Sequence, residues 1–233
     1  MTKRCSFPVF AGAASRATFL FLCCISVLLA SCAGKDGASP SGSPRSGASV
    51  SPTEKRLAYG IVVDVPTSYN VARMLTPDEA SKASLESLKA GERVLLFEAA
   101  GPPSPRGIEP MVAVLAMNQQ GSFVEYDLAR QIKPEEFAAF SKEVLASEKA
   151  EAKKNKKQPW MLDVQINRET INGNMAIVHR ILVPGPDGKP ARVTNWDIYL
   201  PNGSGIAVKS VYDQEYPEAE SEIFNIVRSA RVQ

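Results

Sequence analysis

Residues 162–212, LDVQINRETINGNMAIVHRILVPGPDGKPARVTNWDIYLPNGSGIAVKSVY, decide the fold. Leu162, Val164 and Ile166 alternate with Asp163, Gln165 and Asn167, the period-two pattern of a strand with one wet face. Asn172-Gly173 is a tight-turn pair, because both residues tolerate the positive φ that a two-residue hairpin turn demands. Residues 175–183 then return, Gly185-Pro186-Asp187-Gly188 turns, and 192–200 run out. Asn202-Gly203 turns again and 206–212 run back. The pattern predicts a four-stranded antiparallel meander.

Upstream, residues 59–65 (YGIVVDV) read as a strand stopped by Pro66, with 71–75 as a short hairpin partner. Thr76-Pro77-Asp78-Glu79 predicts a helix start: a hydroxyl cap, proline in the first turn, then two acids at the positive end of the dipole. Ala80, Ala83, Leu85 and Leu88 would form its stripe, with Gly91 as the stop. Residues 93–99 (RVLLFEA) and 111–117 (MVAVLAM) are nearly unbroken apolar runs, hence central strands. The proline-rich loop between them, 101–110 (GPPSPRGIEP), is either a contact element or an inert connector.

Lys133-Pro134 opens a helix whose Phe137, Phe140, Val144 and Leu145 share a face. It ends in Lys153, Lys154, Lys156 and Lys157. These are either a site for anionic lipid or an acidic partner, or cations solvated at the negative end of the dipole. Tyr216-Pro217-Glu218 starts a last helix, with Ala219, Ile223, Phe224 and Val227 on one side. The order is a strand pair, a helix, two strands, a helix, the meander and a closing helix. It predicts an α+β fold in which helices flank an antiparallel sheet.

GIVVDVP (60–66), INGNMAIVHR (171–180), the meander and EIFNIVRSARV (222–232) together resemble the Mog1/PsbP-like fold. The resemblance implies an α/β/α sandwich over 57–233 and a role in surface-mediated binding, without a shared catalytic centre. It carries over no functional residue, since fold alone does not dictate function.

The N-terminal region reads differently. Lys3, Arg4 and Arg16 precede an apolar run, 17–30, that closes in Leu29-Ala30-Ser31-Cys32. That ending resembles the lipobox of bacterial lipoproteins. It implies cleavage between Ser31 and Cys32, with Cys32 carrying an S-diacylglycerol and an N-acyl chain, so 1–31 would be a signal peptide. A plain secretory signal and a retained anchor are the alternatives, although the run falls short of the roughly 20 residues a spanning helix needs. Ala33, where aspartate would resemble an inner-membrane retention signal, favours the outer membrane. In 33–55, Gly, Ser and Pro fill 13 of 23 positions, so 32–56 read as the lipidated cysteine and a flexible tether to one domain, 57–233.

Removal of the signal changes the chemistry on offer. The whole chain has a net charge of +2, but 24 bases and 25 acids follow residue 31, which gives −1 and no electrostatic case for nucleic acid. Cys5, Cys23 and Cys24 leave with the signal, so disulfides, thiol catalysis and thiolate metal sites have no residues to use.

His179 is the only histidine, in phase with Met175, Ile177 and Ile181. It reads as a structural residue, or as a general base or metal ligand. Asp163 and Asp197 are the candidate carboxylate pair. Trp196 is in phase with Ile198 and Leu200 and reads as core or as a ligand platform. No nucleophile, phosphate-loop or metal motif is present, so no catalytic residue, cofactor or metal is expected.

The leading expectation is a non-enzymatic binding or assembly module, lipid-anchored in the envelope, facing the periplasm and meeting an envelope protein partner. The alternative is an envelope hydrolase or small-ligand-binding protein using His179 or paired carboxylates.

Overall fold

The computed structural model describes residues 52–233 apart from 80–84, 86–87, 90–91, 119–125, 158, 186–187 and 201–202. Its strands are β1 (Pro52–Arg56), β2 (Ile61–Pro66), β3 (Asn70–Met74), β4 (Arg93–Ala100), β5 (Met111–Asn118), β6 (Asp163–Ile171), β7 (Asn174–Pro184), β8 (Pro190–Tyr199), β9 (Ser204–Asp213) and β10 (Arg231–Val232). The helices are α1 (Tyr126–Gln131), α2 (Pro134–Lys154) and α3 (Pro217–Ser229). The strands form a seven-stranded sheet in the order β3-β4-β5-β9-β8-β7-β6 and a three-stranded sheet, β1-β2-β10. Each pairing in both sheets is antiparallel. The chain is therefore an α+β protein of antiparallel sheet and flanking helices, as the order of elements predicts.

The meander forms because its turns fit. Asn172 and Gly173 take φ of 50° and 76°, the doubly positive pair that a tight hairpin turn requires. The Asn172 side-chain amide then donates to the carbonyls of Arg228 and Ala230, tying this turn to the end of α3. α3 is amphipathic: Ala219, Ile223, Ile226 and Val227 are all buried, and the helix packs on β2 and β9. Phe224, expected on that side, is half-buried, with the Arg228 guanidinium 4.3 Å from its ring centre. α2 packs along β6, where the Ser141 hydroxyl accepts from the Ile166 N–H at 3.0 Å.

The structure moves two boundaries and leaves one prediction aside. Residues 52–56 were expected in the tether, but they form β1, in register with β2 from Pro52↔Pro66 to Arg56↔Val62. A backbone ladder needs no apolar side chains, so PTEKR joins the sheet as a polar edge, with Glu54 salt-bridged to Arg231 at 2.8 Å. The expected hairpin between 59–65 and 71–75 does not form. Both edges of β2 are taken, by β1 and β10, and β3 pairs with β4 in the larger sheet instead. The helix predicted from Thr76 falls largely on residues outside the described set. Its start is a turn in which Glu79 accepts from the Thr76 N–H at 2.8 Å, and Leu85 and Leu88 are buried.

Candidate functional site

Register sorts the side chains of the large sheet onto two faces. Val178, Trp196, Val208 and Val114 pair in one row across β7, β8, β9 and β5, and all belong to the main core. One residue further along each strand the side chains point the opposite way. The row there is His179, Asn195, Lys209 and Ala113. The next row on that face is Ile177, Asp197, Ala207 and Leu115. Arg93, from the start of β4, reaches over the sheet to Asp197, with Nη2 3.0 Å from Oδ2. Gly205 and Ala207 lie between them in the register, and their small size leaves room for that crossing.

Three features distinguish this face from an ordinary solvated one. Lys209 is only 6% exposed and forms no hydrogen bond or ion pair with the described residues. The Asn195 Oδ1 and Asp197 Oδ1 atoms are buried without a donor. Buried polar atoms are almost always satisfied in folded proteins, so the two carbonyl and carboxylate oxygens in adjacent rows stand out. The third feature is His179, which is half-buried in the row, between Asn195 and the buried Ile166 of β6. Loss of water around the imidazole pushes its pKa below the ordinary value; Asp197 opposes the shift and Arg93 adds to it.

That direction sets a pH window. An unfolded chain takes up the histidine proton near pH ~6.5, whereas the folded ring resists it. His179 thus costs no stability above that pH, and stability falls as pH drops toward the folded value. The melting temperature is expected to decline between about pH 7 and pH 5, and His179→Gln should remove part of that slope. An unchanged slope in the variant would contradict the reading.

The other candidates separate clearly. Asp163 pairs with Leu182 and Asp197 with Ile177, an odd number of residues apart on β7. The two carboxylates therefore stand on opposite faces of the sheet, and the paired-carboxylate alternative is corrected. Trp196 is 3% exposed in the core, which favours packing over a ligand platform. The lysines at the end of α2 are exposed, with Lys153 and Lys154 in its last turn, as cations solvated at a helix C-terminus would be.

The loop 101–110 is tied to the end of β9 through Asp213. Ser104 Oγ donates to Asp213 Oδ2 at 2.8 Å, Arg106 Nη1 to Asp213 Oδ1 at 2.6 Å, and the Glu215 N–H to Oδ1 at 3.0 Å. Desolvation would raise the pKa of the Asp213 carboxyl, but these donors outweigh it and hold the group below its ordinary value.

Ser31, Cys32 and the remainder of 1–51 lie outside the described residues. Among the described residues no cluster of three or more His, Cys, Asp or Glu side chains forms, and no helix is long and apolar enough to cross a membrane. An open depression lined by Arg130, Arg168, Glu169, Thr170 and Met175 is structural in character. Arg168 caps α1 by donating to the carbonyls of Ala129, Arg130 and Ile132, and Glu169 pairs with Arg180 at 2.6 Å.

Sequence reasoning missed Lys209, Asn195 and Arg93. The signal for Lys209 is a lysine inside the run IAVKSV, but only the register with β8 shows what stands beside it.

No family model matches the chain, and none of the curated proteins does. Solved structures similar to it include the cyanobacterial PsbP (CyanoP) of Synechocystis, 9% identical at a TM-score of 0.41, covering 84% of this chain and 100% of that one. A protein of Bacteroides thetaiotaomicron is 10% identical at a TM-score of 0.41, covering 77% of this chain. This chain spans about half of that protein, 48% of its length. LpqN of Mycobacterium tuberculosis, described as involved in cell envelope biogenesis, is 15% identical at a TM-score of 0.37, covering 80% and 87%. The fold assignment therefore rests on this chain's own strand order.

Proposed function

We propose that this protein is a lipid-anchored component of the bacterial envelope whose Mog1/PsbP-like domain binds rather than catalyses, held facing the periplasm by Cys32. The observation that carries the proposal is Leu29-Ala30-Ser31-Cys32 at the end of an apolar run, with a Gly/Ser/Pro-rich spacer between it and β1. Two acyl chains on one thioether-linked group give stable attachment where a single chain holds only marginally. Ala33 favours the outer membrane.

The polar face supports binding over hydrolysis. The hydroxyls of Thr194 and Ser210 sit one residue from Asn195 and Lys209, and therefore on the opposite face from His179. No Ser-His-Asp arrangement can be built from these strands.

The test is fractionation. Wild-type protein is expected in the membrane pellet, released by detergent and not by salt, whereas Cys32→Ala should move to the soluble periplasmic fraction. An unchanged membrane association of Cys32→Ala would refute the anchor. In the same cells, crosslinking followed by pull-down should recover a specific envelope partner.

A further inference from the structure

We propose that the lysine-rich end of α2 is a second membrane contact, which settles on anionic phospholipid headgroups and orients the domain on the bilayer. Residues 149–157 (KAEAKKNKK) hold five lysines and one glutamate, a net charge of +4. The chain after residue 31 sums to −1, so everything else in it comes to −5. Such a separation turns one end of the domain toward an anionic surface and repels the rest from it. Lys149, Lys153, Lys154, Lys156 and Lys157 are all exposed, and none pairs with an acid among the described residues. The two nearest acids are taken by neutral donors. Glu151 accepts from the Asn155 amide at 2.8 Å, and Glu148 from the Trp160 N–H at 3.2 Å.

The helix dipole accounts for Lys153 and Lys154 in the last turn, but its effect fades within that turn. Lys149 precedes it, and Lys156 and Lys157 follow it. Lys156 is a second observation. Its N–H donates to the Lys153 carbonyl and the Lys157 N–H to that of Ala152, which closes the helix around a left-handed residue at 156, φ 53°. Glycine is the ordinary choice there, because a side chain is strained at that φ. This chain holds a cation at the point instead, and Ala152, 8% exposed, pins the same turn against the domain. The lysines are therefore presented from a fixed corner of the fold.

The occupant follows from the side chains and the spacer. Five exposed ammonium groups on long stems suit a layer of headgroups, whereas arginine suits shaped recognition of a single anion. The 19-residue spacer 33–51 keeps the patch beside one such layer, a step that rests on the anchoring proposal. The test reconstitutes the lipidated protein in vesicles of phosphatidylcholine, with or without phosphatidylglycerol, and follows lysine acylation by an amine-reactive ester through mass spectrometry. The lysines of 149–157 should react at least about fivefold more slowly on the anionic vesicles. Lys133, at the other end of α2, and Lys189 should react alike on both. About 0.5 M salt should abolish the difference.

The quadruple variant Lys153→Gln, Lys154→Gln, Lys156→Gly, Lys157→Gln should leave Lys149 reacting alike on both vesicles. If that variant does not fold, Lys156→Gly alone serves. It suits the φ, should melt no lower than wild type, and should weaken the protection of the other four lysines. Equal rates on the two vesicles, protection that survives salt, or undiminished protection in both variants would overturn the proposal. So would protection in whole cells without protection on anionic vesicles, which would assign the patch to an acidic protein. Flotation with pure phosphatidylcholine vesicles reads the anchor separately. Protein that fails to float there lacks the anchor, and its flotation with anionic vesicles at low salt then reads the patch.

Discussion

Asp213→Ala is expected to destabilise the fold by about 3–5 kcal/mol, the usual cost of removing one partner from a buried ion pair. For a domain of this size that corresponds to a fall in melting temperature of roughly 10 °C. Asp213 is 2% exposed and accepts from Ser104, Arg106 and the Glu215 backbone, so its loss removes the acceptor of three donors at once. Arg106, with its side chain 12% exposed, would exchange its 2.6 Å partner for the longer 3.9 Å pairing with Glu215. The 101–110 loop would then lose its tie to the end of β9.

The same group governs part of the acid response. Its folded carboxyl binds a proton less readily than an unfolded one, so its stabilisation is complete above about pH 5. It drains away as pH falls through the ordinary carboxylate range toward the folded value. Asp213→Ala should flatten that limb of the pH–stability curve and leave the His179 limb intact. Urea titration of both proteins across the acid range checks this; parallel curves would contradict it.

Phe97→Ala should cost a similar amount, about 3–5 kcal/mol, through lost burial and the cavity left behind. The reason lies in β4. Leu96 and Phe97 are adjacent, yet both are 0% exposed and both belong to the core. Strict alternation would turn one of them to the other face, and a register shift between Leu95 and Phe97 prevents that. Met74, the register partner of Phe97 on β3, is 39% exposed. Met74→Ala is therefore expected within about 0.5 kcal/mol of wild type. Equal losses for the two variants in chemical denaturation would show that the bulge does not place Phe97 in the core.

These cases show which parts of the molecule could be read from residues in line. The meander was legible because its turns are written in local chemistry: Asn172-Gly173 needs no distant partner to adopt positive φ. α3 was legible from its spacing, and Phe224, at the edge of the stripe, packs against the core in part while its ring meets Arg228. β1 was not legible, because PTEKR has no apolar alternation and its place is set by the backbone of β2. Nor was the partner of β3, since a short exposed strand carries no mark of which edge is open to it.

The site followed the same division. His179 stood out as a lone histidine and Asp197 as an acid in a strand. Their relation to Asn195, Lys209 and Arg93 depends on register across five strands, which no window of sequence contains. Asp163 looked as good a partner for Asp197 until β7 set the parity between them.

The central claim is that Cys32 is the lipidated N-terminus of the mature protein, and the mass of its N-terminal peptide tests that most directly. Protein purified from membranes should yield a peptide beginning at Cys32, heavier than its amino acids by a diacylglycerol and one further acyl chain. A peptide that begins elsewhere, or an unmodified Cys32, would contradict the account.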